Sequence, residues 1–193
     1  MPLTLDDYKN AAKRLRCDTA AIRAVDAVES AGNGFLADGK VKILFEGHKF
    51  SRLTAGTHDA AAPDISYPKW DRSKYAKGAT AEIRSQGEWA RLQKASALNK
   101  RAALMSASWG RFQIMGFNFT HCGFTAVEDF VTAMKSGEPA QLAAFCEYIA
   151  LTGLDDELRE HRWPEFARRY NGADYAVNKY DVKLAKAWAQ FAQ

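Results

Sequence analysis

The sequence predicts an α+β fold that is mainly α, and three observations carry that reading. Most of the chain repeats apolar residues every three to four positions, the period of helices with one buried face. One short run, Lys40-Val41-Lys42-Ile43-Leu44-Phe45, instead joins β-branched and aromatic residues behind the turn signal Asp38-Gly39, as a strand does. That β element is small and stands early in the chain, near a helix end. No internal repeat, low-complexity tract or flexible linker divides what remains, so residues 1–193 are expected to form a single domain.

The elements follow in order. Leu5 to Arg16 reads as a first helix with Leu5, Tyr8, Ala12 and Leu15 on one side. In the second, Ile22, Val25 and Glu29 fall at i, i+3 and i+7 and share a stripe that should face the core. Asp18 is its N-cap, and Ser30-Ala31-Gly32 with Gly34 supplies the stop. Glu29 is then subject to two effects of one sign. Partial burial disfavours the charged carboxylate, and so does the negative end of the helix dipole. Both raise its pKa, as a proton donor near neutral pH requires. The helix alone fits equally a surface glutamate at a frayed end.

After the strand-like run, Ala55 to Ala79 is rich in turn residues and holds Pro63, Pro68, Tyr67, Trp70 and Tyr75. Long irregular segments in a domain are usually functional or mobile. Helical character resumes at Thr80 and runs to about Ala103. Thr125-Ala126-Val127-Glu128 has the form of a capping box opening a helix with Val127, Phe130, Val131 and Met134 inward. Pro139 suits a first helical position, followed by Leu142, Phe145, Cys146 and Ile149. The last helix sets Tyr180, Leu184, Trp188 and Phe191 on one side and Lys179, Lys183 and Lys186 on another.

Composition excludes several classes. A net charge of +4 without a clustered basic face argues against nucleic acid, although it suits an acidic polymer. No apolar run approaches a membrane span, and Met1-Pro2-Leu3-Thr4-Leu5-Asp6-Asp7 is not a signal peptide, so synthesis and folding in a cytoplasm are expected. Cys17, Cys122 and Cys146 match no disulfide or zinc spacing and are read as free, mostly buried thiols; no metal and no cofactor is expected.

Four separated pieces then combine: Glu29-Ser30-x-Gly32-x-Gly34-Phe35, Phe45-Glu46-x-His48-x-Phe50, Ser108-Trp109-Gly110-x-Phe112-Gln113-Ile114-Met115-Gly116-Phe117-Asn118 and, late in the chain, Arg169-Tyr170-Asn171-Gly172. Together they resemble the N-acetylmuramidase family of bacteriophage endolysins, relatives of goose-type lysozymes and soluble lytic transglycosylases. The resemblance implies a lysozyme-like fold that cleaves the β-1,4 bond between N-acetylmuramic acid and N-acetylglucosamine in peptidoglycan, with Glu29 as general acid. It implies a protein that accumulates in the infected host's cytoplasm and acts on the wall in the periplasm, as a bare catalytic domain and a monomer. Lytic transglycosylation to a 1,6-anhydro product, and a non-catalytic peptidoglycan binder on the same scaffold, are the alternatives.

A hydrolase usually needs a second acid. Glu46, on the alternation shared with Lys42 and Leu44, is preferred to Asp38, which the Asp38-Gly39 turn already explains. Gln113, Tyr170 and Asn171 are expected at the substrate or the catalytic acid, with Ser108 beside them. Tyr67 and Trp70 are candidate sugar-stacking platforms. The lysines of the last helix read as a solvated face that could also meet the outer membrane.

Overall fold

The computed structural model describes residues 2–30, 32–172 and 175–193. Helix α1 (Leu5–Leu15) opens on a reciprocal cap, in which Thr4 Oγ1 accepts from the Asp7 amide and Asp7 accepts from the Thr4 amide. Ala11, Ala12 and Leu15 are its buried residues. Leu5, expected inward, is 53% exposed, so the buried stripe of α1 begins only after its first turn; α2 (Thr19–Glu29) follows.

The strand-like run is shorter than its sequence suggests. Strand β1 covers Ile43–Phe45, and Val41 makes only an isolated bridge to Phe35. The intervening Lys42 has its amide on Gly34 O and its carbonyl on the Gly110 amide, each at 2.9 Å, so it joins two loops instead of a ladder. After α3 (Gly47–Leu53) comes the long irregular segment, with a 3-10 turn at Arg72–Lys74.

One helix was expected from Thr80 to about Ala103; the structure has two, α4 (Ala81–Leu98) and α5 (Lys100–Met105). The break is Asn99. Its backbone is extended, its amide closes α4 on Ala95 O, and its side chain caps the Ala102 amide at 3.0 Å. This turn delivers the chain into β2 (Ala107–Trp109), which pairs antiparallel with β1 and with β3 (Ile114–Met115). Ile43 faces Trp109, and Ser108 faces both Leu44 and Met115.

Helix α6 (Val127–Ser136) buries Val127, Phe130, Val131 and Met134 as its periodicity predicts, but the capping box at Thr125 does not form. Ala126 is the N-cap, so Glu128 falls one position short of the reciprocal geometry. In α7 (Glu138–Leu151) Pro139 sits in the first turn, and Leu142, Phe145, Cys146 and Ile149 are buried. Short α8 (Asp155–Arg159), α9 (Trp163–Asn171) and α10 (Tyr180–Phe191) complete the chain. Helix α10 packs along α2 and α9 with Leu184 fully buried, and Tyr180, Trp188 and Phe191 are half-buried against the body. Lys179, Lys183 and Lys186 are exposed.

The core runs unbroken from α2 through the sheet to α7 and α9, with Phe45, Phe50, Phe130, Phe145 and Phe166 all at 0% exposure. Each such ring contributes about 1.5–3 kcal/mol of burial. The three cysteines are free, and burial pushes their thiols up to about 12. No helix among the described residues is long and apolar enough to cross a membrane.

Candidate active site

Glu29 is the last residue of α2, a helix closed by hydrogen bonds at both ends. Asp18 caps α2 by accepting from the Ala21 amide at 2.7 Å, and Ile22 and Val25 are fully buried. At the other end Ser30 donates to Asp26 O, its hydroxyl accepts from the Gly32 amide, and Gly32 turns at φ +103°. Ala31, part of the expected stop, lies outside the described residues. Glu29 is left half-buried at the C-terminal end of α2.

Asn171 meets it from the last turn of α9, its Nδ2 donating to both carboxylate oxygens at 3.0 Å. Burial raises the Glu29 pKa above the ordinary carboxylate value; the Asn171 hydrogen bond and the Lys183 ammonium oppose it. The Asn171 carbonyl oxygen is buried without a hydrogen-bond partner among the described residues. The amide thus has its donor on Glu29 and its acceptor free for a hydroxyl.

Two hollows open on either side of Glu29. One, about 200 Å³, is lined by Glu29, Phe112, Gln113, Met115, Tyr170 and Asn171. The other, about 370 Å³, has Glu29, Lys42, Leu44, Tyr75, Arg84 and Gln113 in its wall. Glu29 and Gln113 belong to both, so the two hollows adjoin at these residues and make one trough with the acid in its wall.

Gln113 sits at the end of the β2–β3 turn with φ +49°, an uncommon region for a residue with a Cβ. Its side chain is held by Ser108 Oγ, which donates to Oε1 at 2.8 Å, while Nε2 donates to Gly110 O at 2.8 Å. Ser108 is thereby a support for Gln113 and does not itself line either hollow. Tyr170 donates to Phe112 O at 3.1 Å and stacks on Phe166 at 5.4 Å, so the same aromatic column carries the turn and Asn171. Burial raises its phenol well above the usual value, which keeps it a neutral donor.

Glu46 follows the last residue of β1 as the N-cap position of α3, and it does not border the two hollows. Tyr75, which does, donates its hydroxyl to Glu46 Oε2, and His48 Nδ1 stands 3.2 Å from the same oxygen. Burial raises the Glu46 pKa, and the Tyr75 bond opposes it. The Tyr75 loop is itself anchored by Glu88, a buried carboxylate that accepts from the Ala76 amide, the Phe45 amide and Arg91. Asp38 accepts from the Lys40 amide and ammonium within its own turn, as expected of a turn residue.

The two platform candidates part company. Tyr67 is only 7% exposed, accepts from Arg91 at 3.2 Å, and lies against Gly47, where any Cβ would come within 2.4 Å of the ring. It is a packing residue of the irregular segment, with no free face for a sugar. Trp70 is 61% exposed, and its ring centre is 6.4 Å from that of Tyr75.

Two features were not singled out in the sequence. Asp26 and Glu138 bracket buried Arg111, which forks onto Asp26 and reaches Glu138 Oε1 and Gly32 O at 3.0 Å each. Glu138 also accepts from the Gly34 amide at 2.7 Å, so this network ties α2, the loop behind Glu29 and the β2–β3 turn together. The available signal was Asp26, a second acid four residues past Ile22 on the apolar stripe. The other feature is Lys42, half-buried in the trough wall. Its alternation with Leu44 was the signal.

The sequence fits the family described as N-acetylmuramidase (Muramidase) over residues 18–192. Among solved structures, one described as "Crystal structure of Burkholderia AP3 phage endolysin" superposes with a TM-score of 0.88 at 42% sequence identity, covering 98% of this chain and 70% of that one. No curated protein matches the sequence.

Proposed function

The chain belongs to the N-acetylmuramidase family, and from that premise we propose that it is a phage-type endolysin whose Glu29 protonates the glycosidic oxygen between N-acetylmuramic acid and N-acetylglucosamine. The observation that carries the role is a half-buried carboxyl of raised pKa that lines both hollows of an open trough. A glycan strand is a long, uncharged chain of rings, and a trough that continues past the acid on both sides suits cleavage within it. As an N-acetylmuramidase the protein acts on the cell wall; accumulation in the host cytoplasm and release to the periplasm at lysis, as a monomer, complete the reading. Of the three C-terminal lysines, Lys183 stands close enough to lower the Glu29 pKa, so a role for Lys179 and Lys186 at the outer membrane is separate from it.

Asn171 sets how strongly Glu29 holds its proton. Its donor bonds favour the carboxylate, so Asn171→Ala removes a lowering influence and raises the Glu29 pKa further. A general acid works only while protonated, and its activity falls as pH rises through its pKa. The expected result is that the alkaline limb of the kcat profile moves to higher pH in Asn171→Ala. The lost orientation lowers the plateau about tenfold. A profile that stays in place, or moves to lower pH, removes Asn171 from this role.

The proposed second carboxylate is Glu46, reached through Tyr75. Glu46→Gln keeps the shape and the Tyr75 contact, and a direct role predicts a loss of about 10²-fold or more in kcat with thermal stability little changed. One observation favours a second reading: Glu46 lies outside the hollows and already has two close neighbours. Activity within about twofold of wild type in Glu46→Gln would therefore transfer the step to the substrate's own hydroxyl. Mass spectrometry of fragments from purified peptidoglycan separates the chemistries. Reducing muramic acid ends mean hydrolysis, 1,6-anhydro ends mean transglycosylation, and no fragments mean a binder.

A further inference from the structure

We propose that Arg169 is a positioning residue of the active site, clamping the last turn of α9 to the end of α7 so that Asn171 stays on Glu29. The inference rests on the muramidase reading, in which Glu29 is the acid. Within the run Arg169-Tyr170-Asn171-Gly172, Tyr170 and Asn171 line the hollow at Glu29 and Arg169 does not. Successive residues point about 100° apart around a helix, so Arg169 lies on nearly the opposite side from Asn171. Its guanidinium reaches α7 and α8. Nη1 donates to Gly153 O at 2.8 Å and to Glu157 Oε1 at 2.7 Å, and Nη2 donates to Thr152 O at 2.6 Å. Thr152 and Gly153 follow the last residue of α7, where backbone carbonyls find no partner within the helix.

The last turn of α9 needs such a hold. Its C-cap, Gly172 at φ +85°, closes it with no backbone hydrogen bond among the described residues, and helix ends left open fray. Three consecutive side chains hold it instead, each to a different place. Arg169 goes to the end of α7 and to Glu157 of α8, Tyr170 to Phe112 O in the β2–β3 turn, and Asn171 to Glu29 at the end of α2. Helices α7 and α9 also meet in the wall of the hollow, where Tyr148 and Tyr170 have ring centres 6.1 Å apart. Glu157 suits a guanidinium. Its side chain is 8% exposed, and its Oε2 is buried without a hydrogen-bond partner among the described residues. Leaving such a carboxylate unpaired is costly, so it grips its cation. The planar fork of arginine serves this carboxylate and both carbonyls at once, which the point charge of a lysine does not. The groups coupled electrostatically to Glu29 itself are Lys183 and Tyr180 of α10 and Tyr170 of α9, and Arg169 is not among them. Its influence on the acid therefore passes through the placement of Asn171.

The test compares wild type, Asn171→Ala, Arg169→Met, and the double variant Arg169→Met, Glu157→Gln, which removes the carboxylate charge that Arg169→Met strands. The Glu29 carboxyl is titrated by NMR of its labelled carbon, and kcat is followed against pH on purified peptidoglycan. Once Asn171 is released, its donor bonds no longer favour the carboxylate. Arg169→Met and the double variant are therefore expected to titrate Glu29 at higher pH, as Asn171→Ala does, and to carry the alkaline limb of kcat the same way. The plateau of kcat falls about tenfold, with KM within about threefold of wild type. Arg169→Met added to Asn171→Ala should move the titration no further, since both act through one contact. A Glu29 titration at the wild-type position in the double variant overturns the clamp, as does a further displacement on top of Asn171→Ala. Failure of the double variant to fold overturns it too, because Arg169 would then serve folding alone. A wild type that releases no muramic-acid-ended fragments overturns the muramidase reading instead, and the titration still decides whether Arg169 holds Asn171 on Glu29.

Discussion

Glu29→Gln is expected to lower the release of muramic-acid-ended fragments by about 10³-fold or more while the protein folds and binds the wall as before. The amide reproduces the carboxyl in size, and Asn171 can still donate to its oxygen, so the contacts at the end of α2 survive. Only the transferable proton is lost. A stability measurement on the same pair supplies an independent check. A carboxyl whose folded pKa lies above its unfolded value is disfavoured in its charged form by folding. Below the unfolded pKa both states are protonated and Glu29 brings no cost. As pH rises through the raised folded pKa the cost appears in full. Glu29→Gln should therefore match wild type in thermal stability at low pH and exceed it near neutrality. Equal stability across the range would mean that burial does not perturb Glu29, and substantial residual cleavage would place the acid elsewhere.

The place of Glu29 at the end of a buried helix was legible because its signal is local. The cap at Asp18, the stripe through Ile22 and Val25, and the stop after Ser30 all belong to one short helix, where sequence spacing translates directly into geometry. The helices with clear periodicity, α6, α7 and α10, were legible for the same reason. Failures fall where a longer-range choice overrides a local one. Asn99 looks like an ordinary residue in a helical stretch, yet the chain must leave α4 there to reach β2, and an Asn side chain can cap the new start. Thr125 has the chemistry of a cap, but the burial of Val127 and Phe130 puts the helix start one residue later. Tyr67 and Trp70 share a loop and a composition, and only tertiary packing separates a buried ring from an exposed one. The same limit applies to Arg111, since a sequence does not say that a residue 85 positions from Asp26 will bind it.

That pairing leads to the largest expected change in stability. Arg111→Met should lower the stability of the fold by about 3–5 kcal/mol, the cost of leaving buried charge without its partner. The side chains of Arg111, Asp26 and Glu138 are 10%, 7% and 5% exposed, so water cannot replace the guanidinium. Among the described residues, Asp26 would keep only the Tyr8 hydroxyl at 2.6 Å, and Glu138 only the Gly34 amide at 2.7 Å. For a domain of this length each kcal/mol moves the melting temperature by about 2–4 °C, so a drop of at least about 6 °C is expected. The comparison that isolates the cause is the triple variant Arg111→Met, Asp26→Asn, Glu138→Gln. It removes both stranded charges and should regain most of the lost stability. It should not regain turnover, because the guanidinium also holds Gly32 O, and with it the loop that leaves Glu29 and the turn that carries Gln113. Recovery of stability and turnover together would make the network a matter of folding alone; recovery of stability without turnover ties it to the placement of the acid.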